Sequence, residues 1–160
     1  MKILLIGEYS NVHWTLAEGL RALGHEVCVV SNGDFWKDYR RDISLVREYT
    51  KFGGIKYLLK LYTLLPRLRG YDVVQLINPV FLEVSPWPLP FIYRYLRRNN
   101  KKVVMGAFGM DYYWVKVNRE QRPMRYSDFN IGDKVRTDAV AQADVDTWIG
   151  TDAERLCRYV

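Results

Sequence analysis

KILLIG (2–7), EYSNVHWTLAEGLRALG (8–24) and HEVCVVS (25–31) read in turn as strand, helix and strand. Lys2 to Ile6 is an apolar run without alternation, the pattern of a strand buried on both faces of a parallel sheet. Gly7 ends it, and Ser10 or Asn11 is suited to cap the helix that follows. Val12, Leu16, Leu20 and Leu23 recur at helical spacing and give that helix one apolar stripe. Gly24 closes it as the residue that takes a left-handed conformation without a Cβ penalty. Val27 to Val30 is a second buried strand, and a helix between two such strands forms a right-handed βαβ unit. Ligands of these sheets bind where strand carboxyl ends meet helix N-termini. Gly7, Glu8, Tyr9 and His13 therefore fall at the rim of a candidate site.

Outward from this unit, Ser31 to Asp34 is a polar turn, and Phe35 to Tyr49 has mixed periodicity. Ile55, Leu58, Leu59, Tyr62 and Leu65 hold helical spacing after Gly53-Gly54, and Pro66 ends that helix. DVVQLI (72–77) reads as a third buried strand stopped by Asn78-Pro79. A further helix starts near Pro88 to Pro90 and ends at Asn99 or Asn100. Lys102 to Phe108 reads as a fourth strand, and Met110 to Asp133 as a long functional loop with short helical pieces. Lys134 to Ala143 is expected as a helix and Thr147 to Ile149 as a short fifth strand. Thr151 and Glu154 form a capping box for a last helix, whose apolar face is Leu156, Cys157 and Val160. With no stop signal after it, the chain is expected to be the front portion of a longer protein, with apolar surface uncovered around Leu156 and Val160. The fold class that follows is α/β, a Rossmann-like doubly wound parallel sheet with strand order 3-2-1-4-5.

Composition bounds the function. A chain of 160 residues with 49% apolar content is long enough for one domain with a real core. Lysine and arginine exceed aspartate and glutamate by 24 to 18, a net charge of +6, which points to an anionic partner. Cys28 and Cys157 make neither a disulfide framework nor a metal motif, and no apolar run reaches the length of a membrane span. A cytoplasmic location fits, at most peripheral to the inner membrane face. The dinucleotide fingerprint needs three glycines after the first strand. Here G-E-Y-S-N-V puts Tyr9 and Val12 where glycines belong, and no Walker A loop is present. No cofactor and no metal is expected. Nucleic-acid binding has only charge and aromatics behind it, without a module signature.

The opening KILLIG…H…LAEGLRALGHEVCVVS, followed by DVVQLINP, KKVVMGAFGMD and ADVDTWIGTDAERL, resembles the family 4-like N-terminal domain of GT-B glycosyltransferases. In that family a strand of DVVHxHNP type precedes one ending HG-S/T-D or WG-S-D, then a strand leading to a Ser/Thr-capped helix. The resemblance covers nearly the whole chain, with Phe108 standing where the histidine of HG-S/T-D would be. It implies transfer of a sugar from a nucleotide sugar to a glycan or lipid-linked acceptor, with retention of configuration. The first domain of such enzymes mainly binds acceptor, and a second, carrying E-x₇-E, holds the nucleotide. By itself this chain would then be inactive. A nucleotide-sugar 2-epimerase half on the same fold and a stand-alone α/β ligand-binding or regulatory domain are the alternatives.

The candidate site residues follow. Asp111 and His13 are the candidate catalytic pair, and Gly7, Glu8, Tyr9, Gly109 and Tyr112 the candidate acceptor- or donor-binding residues. A carboxylate at a strand's carboxyl end can bind sugar hydroxyls or assist proton transfer, although an aspartate there also caps turns. His13, near the positive end of a helix dipole, should stay neutral; the resemblance makes it an acceptor-side residue. The first and fourth strands are expected to be neighbours, so that His13 and Asp111 share one cleft. Of Tyr112, Tyr113 and Trp114, at least two are expected to pack rather than form a sugar platform. Lys56, Lys60, Arg67 and Arg69 edge one helix, and Arg94, Arg97, Arg98, Lys101 and Lys102 close another. Two readings stand for these faces: dipole-complementing cations on ordinary crossover helices, or contact with anionic lipid.

Overall fold

The computed structural model describes residues 1–84, 89–106, 108, 111–121, 124–149, 155–156 and 158. Five strands, β1 (Lys2–Ile6), β2 (Glu26–Ser31), β3 (Ile43–Ser44), β4 (Val73–Leu76) and β5 (Lys102–Met105), form one sheet in the order β3-β2-β1-β4-β5. Every neighbouring pair is parallel. Among the described residues the α-helices are α1 (Val12–Ala22), α2 (Gly53–Leu64), α3 (Leu89–Asn99), α4 (Tyr112–Glu120) and α5 (Ala139–Trp148). The topology is that of a Rossmann-like α/β fold.

The unbroken apolar run of β1 has a direct structural cause. Leu4 and Ile6 enter a cluster with Val30, Val74, Leu76, Tyr57 and Leu61 of α2, and Ile92 and Leu96 of α3. Ile3 and Leu5, one residue out of phase, join Val27, Val29 and Ala17 of α1 in a second cluster. Both faces of the central strand are thus dry, and each fully buried aliphatic side chain contributes roughly 1.5–3 kcal/mol. A polar residue at any of these positions would have no water and no partner.

Local signals set the ends of α1. The Gly24 N–H donates to Arg21 O at 2.9 Å and the His25 N–H to Leu20 O at 3.1 Å. With Gly24 at φ +80° this is a Schellman closure. Asn11 occupies the N-cap position without a side-chain cap bond; the cap comes from Glu8. The helix buries His13 and Ala17, while Leu23, placed on the apolar stripe by spacing, is exposed. The stripe lies to one side of the line that faces the sheet.

The sheet corrects the expected strand neighbours. Residues 72–77 were to lie beside the second strand and 102–108 beside the first. Instead β4 pairs with β1, and β5 pairs with β4. Two-residue β3, hidden in the unresolved periodicity of 35–49, takes the place outside β2. After it the chain crosses back through α2 to the open side of β1. The order reads 3-2-1-4-5 only because β3 is a different segment from the one expected. Asp111, following β5, is consequently separated from β1 by a whole strand.

Other expectations also change. The Tyr57, Leu61 and Leu64 face of α2 is buried, whereas Ile55, Leu59 and Tyr62 are exposed. That helix is apolar on two sides, and the side with Tyr57, Leu61 and Leu64 meets the core. Between 110 and 133 lie the nine-residue α4 and part of a small antiparallel sheet of β6 (Tyr126–Ser127), β7 (Asn130–Ile131) and β8 (Lys134–Val135). Lys134 therefore starts no helix. Asp138 caps α5, accepting from the Ala141 N–H at 3.2 Å, and α5 takes in Thr147 and Trp148 of the expected fifth strand, with Ile149 as its C-cap. Leu156 is buried in the main core and not uncovered. The capping box at 151–154, Cys157 and Val160 lie outside the described residues.

Gly7 is the turn on which β1 ends. It has φ +88°, and a Cβ there would lie 2.2 Å from Ile77 Cγ2. Left-handed backbone costs an ordinary residue about 1–2 kcal/mol, and overpacking adds about 1–3. Gly7→Ala should lower unfolding free energy by about 2–5 kcal/mol in urea titrations.

Candidate functional site

At the carboxyl ends of the parallel strands lies a cavity of about 630 Å³, a volume within the range of small-molecule sites. Its walls come from Gly7 after β1, Ser31, Asn32 and Asp34 at the end of β2, Ile77 and Asn78 after β4, the Phe81–Val84 loop, Phe108, and Trp148 of α5. The chain leaves β1 toward β2 and β3 and later returns to β4, so the crevice between β1 and β4 is the topological switch point. The cavity opens there.

Glu8 builds the first wall. Its Oε1 accepts from the N–H groups of Tyr9 (2.9 Å) and His13 (3.1 Å), and Oε2 from the Trp14 N–H (3.1 Å). The His13 and Trp14 bonds satisfy donors that open at every helix start, and the carboxylate sits at the positive end of the dipole. Burial still dominates: desolvation raises the Glu8 carboxyl above its ordinary range, against the lowering effect of the three N–H groups.

His13 is fully buried. Nδ1 lies 2.7 Å from Gly7 O. A carbonyl can only accept, so the proton sits on Nδ1, and Nε2 accepts from the Gln75 amide at 3.3 Å. Both ring nitrogens are engaged, and Phe108 meets the ring edge-on at 6.3 Å. Burial pushes the His13 pKa down to about 4, and the Gly7 bond opposes this weakly. The imidazole is neutral as expected, with desolvation rather than the dipole as the cause. It ties β1 and α1 to β4.

Asp34 builds the second wall. Its Oδ2 accepts from the Ser10 N–H at 2.9 Å and from Lys37 Nζ at 2.7 Å, while its own N–H donates to Asn32 Oδ1 at 3.0 Å. The loops after β1 and β2 are thereby joined. The third wall is a network on Glu83. Its carboxylate accepts from the Asn32 amide and from Tyr49 Oη (3.1 Å), its N–H donates to Tyr57 Oη (3.3 Å), and its carbonyl accepts from Arg47 Nη1 (3.3 Å). Burial raises the Tyr57 hydroxyl far above its ordinary range. On the far side Asp144 faces the cavity, its carboxyl raised by desolvation and then by Asp128.

Glu8, Asp34, Glu83 and Asp144 stand against Arg47 among the described lining residues, so this site is acidic in a basic chain. Such walls accept hydrogen bonds from hydroxyls. They disfavour a diphosphate, whose charge they would repel.

Of the expected site residues, Gly7, Glu8 and Tyr9 line the cavity, while His13, Asp111 and Tyr112 are absent from its described lining. His13 sits behind Gly7. Asp111 caps α4, with Oδ1 accepting from the Trp114 N–H at 2.9 Å. Tyr112 is buried against Val115, Phe129 and Trp148, Trp114 packs partly on the same cluster, and Tyr113 is exposed, so two of the three aromatics pack. Gly109 lies outside the described residues. The spacing did not show Asn32, Arg47, Tyr57, Glu83 or Asp144. Asn32 and Asp34 alone carried a signal, as polar residues directly after a buried strand. Among the described residues no group of three or more histidine, cysteine, aspartate or glutamate side chains is arranged to hold a metal ion.

Comparison with known proteins finds no matching family model, no matching curated protein and no matching solved structure.

His13 makes the site's pH response testable. Above pH 6.5 it is neutral whether folded or unfolded. Below that, the unfolded chain takes up a proton that the folded chain refuses until about pH 4. Stability is therefore lost as pH falls from 6.5 to 4, by about 3 kcal/mol in total. Glu8, with its carboxyl raised, acts in the opposite sense near its own range. Unfolding titrations across this window should show the slope in the wild type, and His13→Gln should remove most of it.

Proposed function

We propose that this chain is the acceptor-binding domain of a sugar-transferring enzyme, built as the doubly wound N-terminal half of a GT-B fold. The single observation that carries the reading is the cavity at the β1/β4 switch point. Four carboxylates, two asparagine side chains and one cation line it, beside Tyr9, Tyr57, Phe81 and Trp148. Sugar hydroxyls donate to carboxylates and amide oxygens, and the apolar faces of pyranose rings lie against aromatic rings. The sequence resemblance, in the order of DVVQLINP and AFGMD, supports the same reading independently.

On this reading the donor's diphosphate is held elsewhere, by a second domain, because the acidic walls would repel it. Acceptor hydroxyls enter the crevice beside Glu8 and Asp34. Each of these carboxylates is already fixed by backbone N–H groups and needs no rearrangement to accept a further bond. His13 acts indirectly: it holds Gly7 O and thereby the shape of the wall.

The test is saturation-transfer NMR on the purified chain, with methyl glycosides of common hexoses in one arm and uridine diphosphate in the other. Glycosides should receive saturation and the diphosphate should not. Asp144→Ala, which removes a lining carboxylate, should weaken glycoside binding about tenfold, the effect of one charge-assisted hydrogen bond. Binding of the diphosphate in place of glycosides would overturn the assignment of this half to the acceptor. Transfer from a nucleotide sugar should be undetectable with residues 1–160, and measurable transfer would overturn the division of labour.

A further inference from the structure

The side of α2 turned away from the sheet is a feature that the cavity does not explain. Tyr57, Leu61 and Leu64 fill the inward face, yet Ile55 and Leu59 stay 60% and 62% exposed, and Tyr62 40%. These three recur at i, i+4 and i+7, one line along the helix. Phe52, just before the helix, extends the line and is also 60% exposed. At the other end Tyr62 meets Phe91 of α3, ring centroids 6.0 Å apart, and Phe91 is itself 42% exposed. The result is one apolar strip across two adjacent helices, a feature that a solvated crossover pair does not need.

The charges beside the strip have one sign. Lys51 just before α2 and Lys56 and Lys60 on it flank the strip, and Arg94 and Arg98 follow Phe91 at i+3 and i+7 on α3, all exposed. Neither helix contains an aspartate or glutamate. The acid that approaches is Glu48, 3.2 Å from Lys56, and with both partners mostly exposed such a pair is weak.

We infer that the outer face of α2 and α3 docks on an anionic phospholipid surface, with Phe52, Ile55, Leu59, Tyr62 and Phe91 entering the headgroup boundary and the lysines and arginines held at the phosphates. An exposed apolar line edged by cations is the pattern of a helix lying in the plane of the interface. No helix among the described residues is long and apolar enough to cross a membrane, so the contact is to the surface. A second copy of the chain is the poorer occupant. Face-to-face pairing would bring two sets of lysines and arginines together with no acidic residue on either helix to offset them. The inference stands apart from the sugar-transfer reading. Where both hold, Tyr57 on the inner face of the same helix lines the cavity, which keeps the site within about one helix diameter, roughly 10–12 Å, of the lipid.

The experiment is co-sedimentation of the purified chain with vesicles of phosphatidylcholine, alone or with about one-third phosphatidylglycerol. The chain should sediment with the anionic vesicles, remain in solution with the neutral ones, and be released by added salt. Lys60→Glu should weaken partitioning about fivefold or more, and Leu59→Asp should weaken it further. Both positions are exposed, and circular dichroism should report an unchanged fold. The charge-matched Lys134→Glu on the small sheet should change partitioning by less than about twofold. Failure to sediment with anionic vesicles overturns the inference, as does equal binding to neutral ones. So does an equal loss in Lys134→Glu, which reduces the effect to net charge. A dimer in lipid-free sedimentation velocity that Leu59→Asp dissolves makes a second copy the occupant and also overturns it.

Discussion

The Glu8 carboxylate is the contact on which the rest of the site depends. It joins the Tyr9 N–H of the loop after β1 to the His13 and Trp14 N–H groups in the first turn of α1. His13 in turn holds Gly7 O with one ring nitrogen and Gln75 of β4 with the other. A single anion therefore fixes the turn after β1, the first turn of the helix, and the strand on the far side of the crevice. Its burial is unfavourable, as the raised carboxyl pKa records. Three N–H donors and the helix dipole offset enough of that cost for the group to stay. Removing it would leave three donors facing a dry wall, at about 1–3 kcal/mol for each left unsatisfied.

The charges of the molecule are sorted. Lysines and arginines give the chain its net +6; Arg47 stands on the cavity wall and Lys37 pairs with Asp34, while a larger group lies on and beside α2 and α3. The cavity collects carboxylates. Net charge read from composition pointed to an anionic partner, and the placement divides that statement in two. The basic helices suit an anionic surface, while the acidic crevice suits a neutral polyhydroxylated ligand. Composition sums over the surface and cannot make this distinction.

The central βαβ unit was legible because three independent signals coincide within 30 residues. An apolar run, a helical stripe and a closing glycine each admit few alternatives, and together they admit one. What the sequence did not disclose has identifiable causes. Two-residue strands such as β3 are too short for any periodicity, and without it residues 72–77 fall on the wrong side of β1 and residues 102–108 take the place beside β1 that β4 occupies. Helix α2 carries two apolar lines, and periodicity alone does not say which one meets the sheet. Asp138 is a helix-start signal that lies inside residues 134–143, a segment that reads as one helix. The site was legible in position but not in membership. Gly7, Glu8 and Tyr9 follow from the end of β1, whereas Arg47 and Glu83 come from loops that the sequence does not mark. His13 and Asp111 were singled out as reactive, and the structure has both making cap or turn contacts, because the same polarity that suits a ligand suits a helix terminus.

Helix α2 shows how one segment can serve two environments. Its inward residues are fixed by the sheet: Leu61 and Leu64 are buried in the main core, and Tyr57 reaches past them to the cavity and to the Glu83 backbone. The outward residues carry none of that load, so their apolar character is not explained by folding. A solvated helix on a protein with 26% charged residues has ample polar side chains to draw on. Keeping isoleucine, leucine and tyrosine there exposes apolar area to water, with no gain in the isolated chain. The cost is removed only when something dry covers the strip. Because the inner and outer lines share one rigid helix, whatever holds the outer line also fixes the position of Tyr57, and through it the Glu83 wall of the cavity.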